Sequence, residues 1–232
     1  MNVTEFIQKS HSPNDLIEIC LRGFGKSRER PKIAKNIKLL ESMMKEKWQP
    51  PQIKLADLLT YPRNSIGNNL GLYLIGMNKD QSGKHSIPGW LRFKLRYEQG
   101  YGSVLATRVK QTHDICHMLT NFNTSQMGEI AVQGFYLGQR AHALSIMFIY
   151  DLLGSHLRGE KDREYIDAFM EGMNIGLNAN EDVAFLKYEL MLGKNLDEIR
   201  QELNIKAETE PKPWRNYLGK LEPSFEMAKD KV

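Results

Sequence analysis

Cysteine is scarce in this sequence, which holds only Cys20 and Cys116 among its 232 residues. Two cysteines outside any C-x-x-C pair exclude a disulfide framework and a cysteine-rich zinc site. The N-terminus also lacks a basic segment followed by an apolar run, so no secretory signal is predicted. We therefore expect a protein of the cytoplasm or of a membrane periphery.

Long apolar runs and a strong charge imbalance are missing as well. The most apolar region, residues 130–153, is interrupted by polar side chains such as Gln139 and His142, so no transmembrane helix is predicted. Lys and Arg number 32 against 28 Asp and Glu, a mild excess that argues against a nucleic-acid partner. It allows an anionic ligand, or a membrane surface contacted by the aromatic and basic residues of segment 89–103.

Strand patterns are nearly absent, and helical periodicity dominates. The sequence predicts an all-α fold, a single-domain multi-helix bundle over residues 1–232 with an apolar cavity and a proline-punctuated tail from about residue 207. One helix should run from Tyr101 to about Leu119. A second, long helix should start at Asn123 or Thr124 and reach about Leu157, followed by helices over 160–177 and 181–192.

Four ligand-type residues stand close together where the first of these helices ends. His113 and His117 are one helical turn apart, and Asp114 borders the same face. Glu129 follows His117 by twelve residues, which is enough to end the helix, turn and return alongside it. Gly128 has no side chain and would let the two backbones approach closely.

Two imidazoles and two carboxylates suit a divalent ion such as Zn²⁺, Fe²⁺, Mn²⁺ or Mg²⁺. The alternative is a pair of hydrogen-bonded structural histidines with Asp114 as a partner. A ferritin-like di-iron bundle is excluded, because acid-x-x-His occurs once and that class needs it twice. A zincin protease would need glutamate in place of Asp114. An all-α phosphohydrolase of the His-Asp type, using His85 and Asp151 as further residues, remains open.

The sequence contains the motif H-D-x-x-H, followed by eleven residues and a glutamate. This motif resembles that of the fourth family in the coenzyme Q (ubiquinone) biosynthesis series. The stretch "HDICHMLTNFNTSQMGEIAVQGF" is similar to this family's central region. Upstream "LTYPRNSIGNNLGLYL" and downstream "LDEIRQELNI" extend the resemblance over roughly residues 15–206.

This resemblance implies an all-α protein with a divalent metal, most often zinc, on His113, Asp114, His117 and Glu129. It also implies a prenyl-lipid cavity and one of two roles: removal of the C1 carboxylate from a polyprenylated hydroxybenzoate, or organisation of a biosynthetic complex. The expected partners are a polyprenyl lipid with an anionic or phenolic head group, other quinone-biosynthesis proteins and a second copy of the chain. Helical spacing from the motif suggests that the lipid or substrate is bound by Met118, Val132, Gln133, Tyr136, Arg140, Leu144 and Met147.

Overall fold

The computed structural model describes residues 30–79, 101–140 and 143–218. Within these ranges the chain forms eight α-helices and no strand, which confirms the predicted all-α class. The helices are α1 (Arg30–Lys45), α2 (Leu55–Thr60), α3 (Ile66–Lys79), α4 (Tyr101–Thr120), α5 (Gln126–Arg140), α6 (Ala143–Leu157), α7 (Arg163–Asn178) and α8 (Leu196–Glu202), with two short 3₁₀ turns at Val183–Phe185 and Tyr188–Leu190. Across the same ranges, no helix combines the length and the apolar character needed to span a bilayer.

A tight turn joins α4 to α5 and so brings the two halves of the motif together. Ser125 caps α5, because its hydroxyl accepts a hydrogen bond from the backbone N–H of Gly128 at 3.2 Å. The predicted caps, Asn123 or Thr124, are therefore wrong by one or two residues. The close approach at Gly128 lies within the turn and not between the two helices as predicted, since a Cβ there would lie 1.9 Å from the carbonyl oxygen of Asn123.

The predicted long helix up to Leu157 is two helices, with α6 turned back onto α5. Ser145 Oγ donates to Gln133 Oε1 at 3.0 Å, whereas twelve residues of continuous helix would separate them by about 18 Å. Ile130 of α5 and Ile146 of α6 share one apolar cluster. No proline marks the reversal, and helical periodicity alone did not separate one long helix from two consecutive helices.

Glycines let α5 and α7 pack with their backbones in contact. A Cβ added to Gly134 would lie 2.0 Å from the carbonyl oxygen of Phe169, and one added to Gly172 would lie 1.8 Å from that of Ala131. No larger side chain fits at such a crossing. The position of α5, which carries Glu129, is therefore set by α7.

The helix predicted over residues 181–192 is wrong, because the chain forms two 3₁₀ turns there. Arg108 of α4 is fully buried and pairs with Glu189 at 2.6 Å. It also donates to the carbonyl oxygens of Ala184 and Leu186 at 3.2 and 2.5 Å. These carbonyls point inward to the guanidinium and are not available to a continuous helix.

The proline-punctuated tail packs against the α4–α5 turn as far as it is described. Trp214 and Arg215 are buried, and Arg215 forms an isolated antiparallel bridge with Phe122. We call residues 211–217 the C-terminal strap. Most of the aromatic and basic segment 89–103 and His85 lie outside the described residues.

Candidate metal centre

Three nitrogen and oxygen atoms converge where α4 and α5 meet. His113 Nε2 lies 3.2 Å from His117 Nε2 and 3.2 Å from Glu129 Oε2. His117 Nε2 lies 3.3 Å from Glu129 Oε1. The helical turn between the histidines and the short connection to α5 produce this cluster, as the sequence spacing predicted.

The other nitrogen of each imidazole has its own partner. His117 Nδ1 lies 3.1 Å from the carbonyl oxygen of Phe122, and His113 Nδ1 lies 3.1 Å from the hydroxyl of Tyr136. A carbonyl oxygen can only accept, so Nδ1 of His117 carries the hydrogen. In neutral His117 the Nε2 atom is then a bare lone pair that points at Glu129.

This arrangement fits a divalent ion. Neutral imidazoles protonated at Nδ1 leave three hydrogen-bond acceptors within 4.8 Å of one another, which repel unless a proton or a cation lies between them. Zn–N distances of about 2.0–2.1 Å place neighbouring tetrahedral ligands ~3.3 Å apart, close to the observed separations. His117 is fully buried, but the side chains of His113 and Glu129 are 31% and 43% exposed, so one side of the cluster is open.

Asp114 borders the cluster without joining the three converging atoms. Its carboxylate accepts a hydrogen bond from the hydroxyl of Tyr73, whose ring stacks on that of His117 at 6.3 Å. Burial raises the pKa of Asp114 to about 6, although the nearby His113 and His117 favour its charged form. Asp114 therefore lies beside the other three predicted ligands, in contact with Tyr73, and its own role as a ligand stays a prediction.

The pKa values of two cluster members are shifted in opposite directions. Burial would raise the pKa of Glu129, but hydrogen bonds from His113 and His117 outweigh it and lower that pKa to about 2. Burial would lower the pKa of His113, but the hydrogen bond and charge of Glu129, with Asp114, outweigh it and raise that pKa. In the metal-free chain Glu129 therefore favours the protonated form of His113, whose charge would replace that of a cation.

We expect Asp114→Asn to change how the stability of the metal-free chain depends on pH. The folded-state pKa of Asp114 is raised from 3.8 to about 6, so the folded chain holds an extra proton between these values and loses stability as pH rises through them. Asparagine still accepts from Tyr73 but does not titrate. As the pH rises from about 4 to 7, the free energy of unfolding of the variant, measured with urea, should increase by on the order of 2 to 3 kcal/mol relative to that of the wild type.

Asp151→Asn is the matched control for this experiment, because Asp151 is exposed on α6 and its replacement should change stability little at any pH. If the difference in free energy of unfolding between Asp114→Asn and the wild type stays constant across this pH range, the raised pKa of Asp114 is contradicted.

The residues predicted to bind lipid are in part buried in the core. Met118, Val132 and Tyr136 are at most 1% exposed and belong to the main apolar cluster. Gln133 accepts from Ser145 Oγ on α6. The side chains of Arg140, Leu144 and Met147 lie outside what the structure describes. The predicted binding role of all seven residues stays a prediction.

The residues of the phosphohydrolase alternative are not brought to the cluster within the described chain. Asp151 is exposed on α6, and the fourth residue of that scheme, His85, lies outside the described ranges. No specific contact therefore favours that alternative.

Sequence reasoning missed three groups that hold the cluster. Tyr73 comes from α3, and no spacing in the sequence connects it with the motif. The Phe122 carbonyl is a backbone atom, which sequence patterns do not single out. Asn123 was predicted only as a helix cap, although asparagine side chains in turns often hydrogen-bond to other backbone groups.

Residues 42–209 of this chain match the family described as Coenzyme Q (ubiquinone) biosynthesis protein Coq4. Among solved structures, the chain is similar to the crystal structure of a candidate ubiquinone biosynthesis protein from Nostoc punctiforme, with 20% sequence identity, coverage of 82% of each chain and a TM-score of 0.57. At this identity the likeness shows a shared fold. No curated protein matches the sequence.

Proposed function

This chain belongs to the Coq4 family of coenzyme Q (ubiquinone) biosynthesis proteins, and from this premise we propose that it binds an anionic, prenylated quinone precursor at a divalent ion held by His113, His117 and Glu129. The observation that carries the proposal is the convergence of three ligand-type atoms, with His117 Nδ1 bonded to a carbonyl oxygen so that Nε2 of the neutral imidazole is free to bind an ion. Membership in the family confirms the resemblance noted in the motif.

Each residue has a defined task in this proposal. His117 contributes Nε2 while Nδ1 stays bonded to Phe122, and His113 contributes Nε2 while Nδ1 contacts Tyr136. Such outer contacts orient the imidazoles of metal sites and fix the tautomer. Glu129 supplies charge, and its lowered pKa keeps it ionised at neutral pH. Asp114 adds a nearby carboxyl group.

The donor set of two imidazoles and one carboxylate suits Zn²⁺ first, and it tolerates Fe²⁺, Mn²⁺ or Mg²⁺. Three protein ligands leave a coordination position free for a substrate, as in catalytic metal sites. The exposed flank formed by His113 and Glu129 is where a carboxylate or phenolate head group would enter. The ion would supply electrophilic charge that binds and polarises such a group.

Head group and tail would be held by different forces. Burial of a prenyl chain gains about 0.8 kcal/mol per buried methylene, and the predicted lipid-binding residues Met118, Val132 and Tyr136 lie in the main apolar cluster. In the proposed reaction the bond between ring carbon C1 and its carboxylate breaks, CO₂ leaves, the electron pair of the bond stays on C1, and C1 takes up a proton from water. The competing role is organisation of the other quinone-biosynthesis proteins around the bound lipid.

Two short-chain ligands test the proposal, a prenylated 4-hydroxybenzoate and the matching prenylated phenol without the carboxylate. We expect the benzoate to bind the Zn²⁺-loaded chain at least about tenfold more tightly than the chain stripped with EDTA. The affinity of the phenol should differ less between the Zn²⁺-loaded and the stripped chain, because the phenol presents a weaker anion. Equal binding of the benzoate to both forms would refute a metal-bound head group.

Release of CO₂ from the bound benzoate separates the two roles. Release by the Zn²⁺-loaded chain, and not by the stripped chain, supports decarboxylation. Tight binding with no release supports the organising role for that substrate.

A further inference from the structure

We propose that Asn123 is a positioning residue for the ligand His117, and that the C-terminal strap acts through it to set the affinity of the metal centre. The inference deepens the proposed function. Its statement about metal affinity rests on that function, whereas its statement about the orientation of His117 does not. It rests on one peptide group, the amide that joins Phe122 to Asn123.

The two ends of this peptide group bind opposite partners. Its carbonyl oxygen, from Phe122, accepts from His117 Nδ1 at 3.1 Å. Its N–H, from Asn123, donates to the carbonyl oxygen of Trp214 in the strap at 2.9 Å. The C=O and N–H of a trans peptide are coplanar and point in opposite directions, so fixing the N–H on the strap also aims the carbonyl at the imidazole.

The side chain of Asn123 forms further hydrogen bonds with the strap. Its Nδ2 donates to the carbonyl oxygens of Pro213 and Arg215, both at 2.8 Å. These two carbonyls flank that of Trp214, so Asn123 binds three consecutive strap residues. On its other side, Oδ1 accepts from the backbone N–H and hydroxyl of Ser125, at 3.0 and 2.6 Å.

Asn123 therefore joins both halves of the metal centre to the strap. Ser125 caps α5, the helix that carries Glu129 in its first turn. The strap itself is anchored, because Arg215 Nη1 donates to the carbonyl oxygen of Thr120 at the end of α4 at 3.0 Å. Trp214 Nε1 donates to Glu171 Oε2 of α7 at 2.9 Å. A rotation of the Phe122–Asn123 peptide would break contacts on both helices together.

Asn123→Asp isolates the contact with the strap. Aspartate keeps the acceptor for Ser125 and is a favourable residue before a helix, but it places a carboxylate oxygen against two carbonyl oxygens. We expect an unchanged helical circular dichroism spectrum and Zn²⁺ affinity lowered about tenfold, the lower end of the cost of disturbing partners of metal ligands. ¹⁵N NMR of the metal-free variant should show a mixture of His117 tautomers in place of the Nδ1–H form.

Asn180→Asp is the matched control, since Asn180 Nδ2 also donates to a backbone carbonyl, that of Glu202 at 2.9 Å, at the junction of α7 and α8. It should leave affinity and tautomer unchanged. The proposal is overturned if Asn123→Asp binds Zn²⁺ within about twofold of the wild type, or keeps the wild-type tautomer. If the wild type itself binds no Zn²⁺, the proposed function fails, and the tautomer still decides whether Asn123 positions His117.

Trp214→Phe carries the test if Asn123→Asp loses its helical spectrum. This change removes the indole N–H bond to Glu171 and part of a buried ring, and it leaves the side chains of the turn unchanged. The same two effects are expected at a smaller size, and wild-type values for both would overturn the proposal.

Discussion

Replacing His117 with asparagine is expected to weaken Zn²⁺ binding by more than about 100-fold, because loss of a ligand should exceed the 10- to 100-fold cost of losing its outer partner. The side-chain amide nitrogen of asparagine can take the place of Nδ1 and keep the bond to the Phe122 carbonyl. The substitution thus removes Nε2 selectively from a fully buried position. Competition with a chromophoric chelator measures the affinity.

His156→Asn provides the matched control. His156 lies in the last turn of α6, and its Nδ1 also contacts a backbone carbonyl oxygen, that of Lys161 at 3.0 Å. The described residues bring no acidic side chain and second imidazole to it as they do to His117. Zn²⁺ affinity should stay at the wild-type value, and an equal loss in both variants would mean that histidines bind the ion non-specifically.

Gly172→Ala should destabilise the fold by at least about 3 kcal/mol, the upper range for overpacking a core. The added methyl group would lie 1.8 Å from the carbonyl oxygen of Ala131, a backbone atom that moves only if α5 and α7 separate. Because α5 carries Glu129, the separation should also weaken metal binding. Urea unfolding of the metal-free chain measures the loss of stability.

Gly154→Ala is the same chemical change, but it should not lower the stability of the fold. On α6 the added methyl group would meet only the flexible side chain of Arg158, at 3.2 Å. Alanine is favoured over glycine inside a helix by roughly 0.5–1 kcal/mol, so the variant should be as stable as the wild type or more so. Similar losses at Gly154 and Gly172 would show that the α5–α7 crossing has no special role.

Local patterns carried much of the correct prediction. One helical turn relates His113 and His117, so their shared face follows from helix geometry alone. The distance from His117 to Glu129 fits one short turn, and Gly128 packs inside that turn against the carbonyl oxygen of Asn123. These features depend on residues near one another in the chain, where sequence spacing is informative.

The errors arose where distant residues decide the local structure. Arg108 draws the carbonyls of Ala184 and Leu186 inward, and no helical pattern in residues 181–192 reveals that partner. Tertiary contacts override local preference there. Asp114 lies beside the three converging atoms, where its carboxylate accepts from Tyr73 of α3, and its role as a metal ligand stays a prediction.

Native mass spectrometry of the purified chain tests the central claim most directly. After dialysis against Zn²⁺ and removal of excess metal, the wild type is expected to retain one ion per chain and His117→Asn none. Retention of no ion by the wild type would contradict the metal centre and leave His113, His117 and Glu129 as a hydrogen-bonded structural cluster.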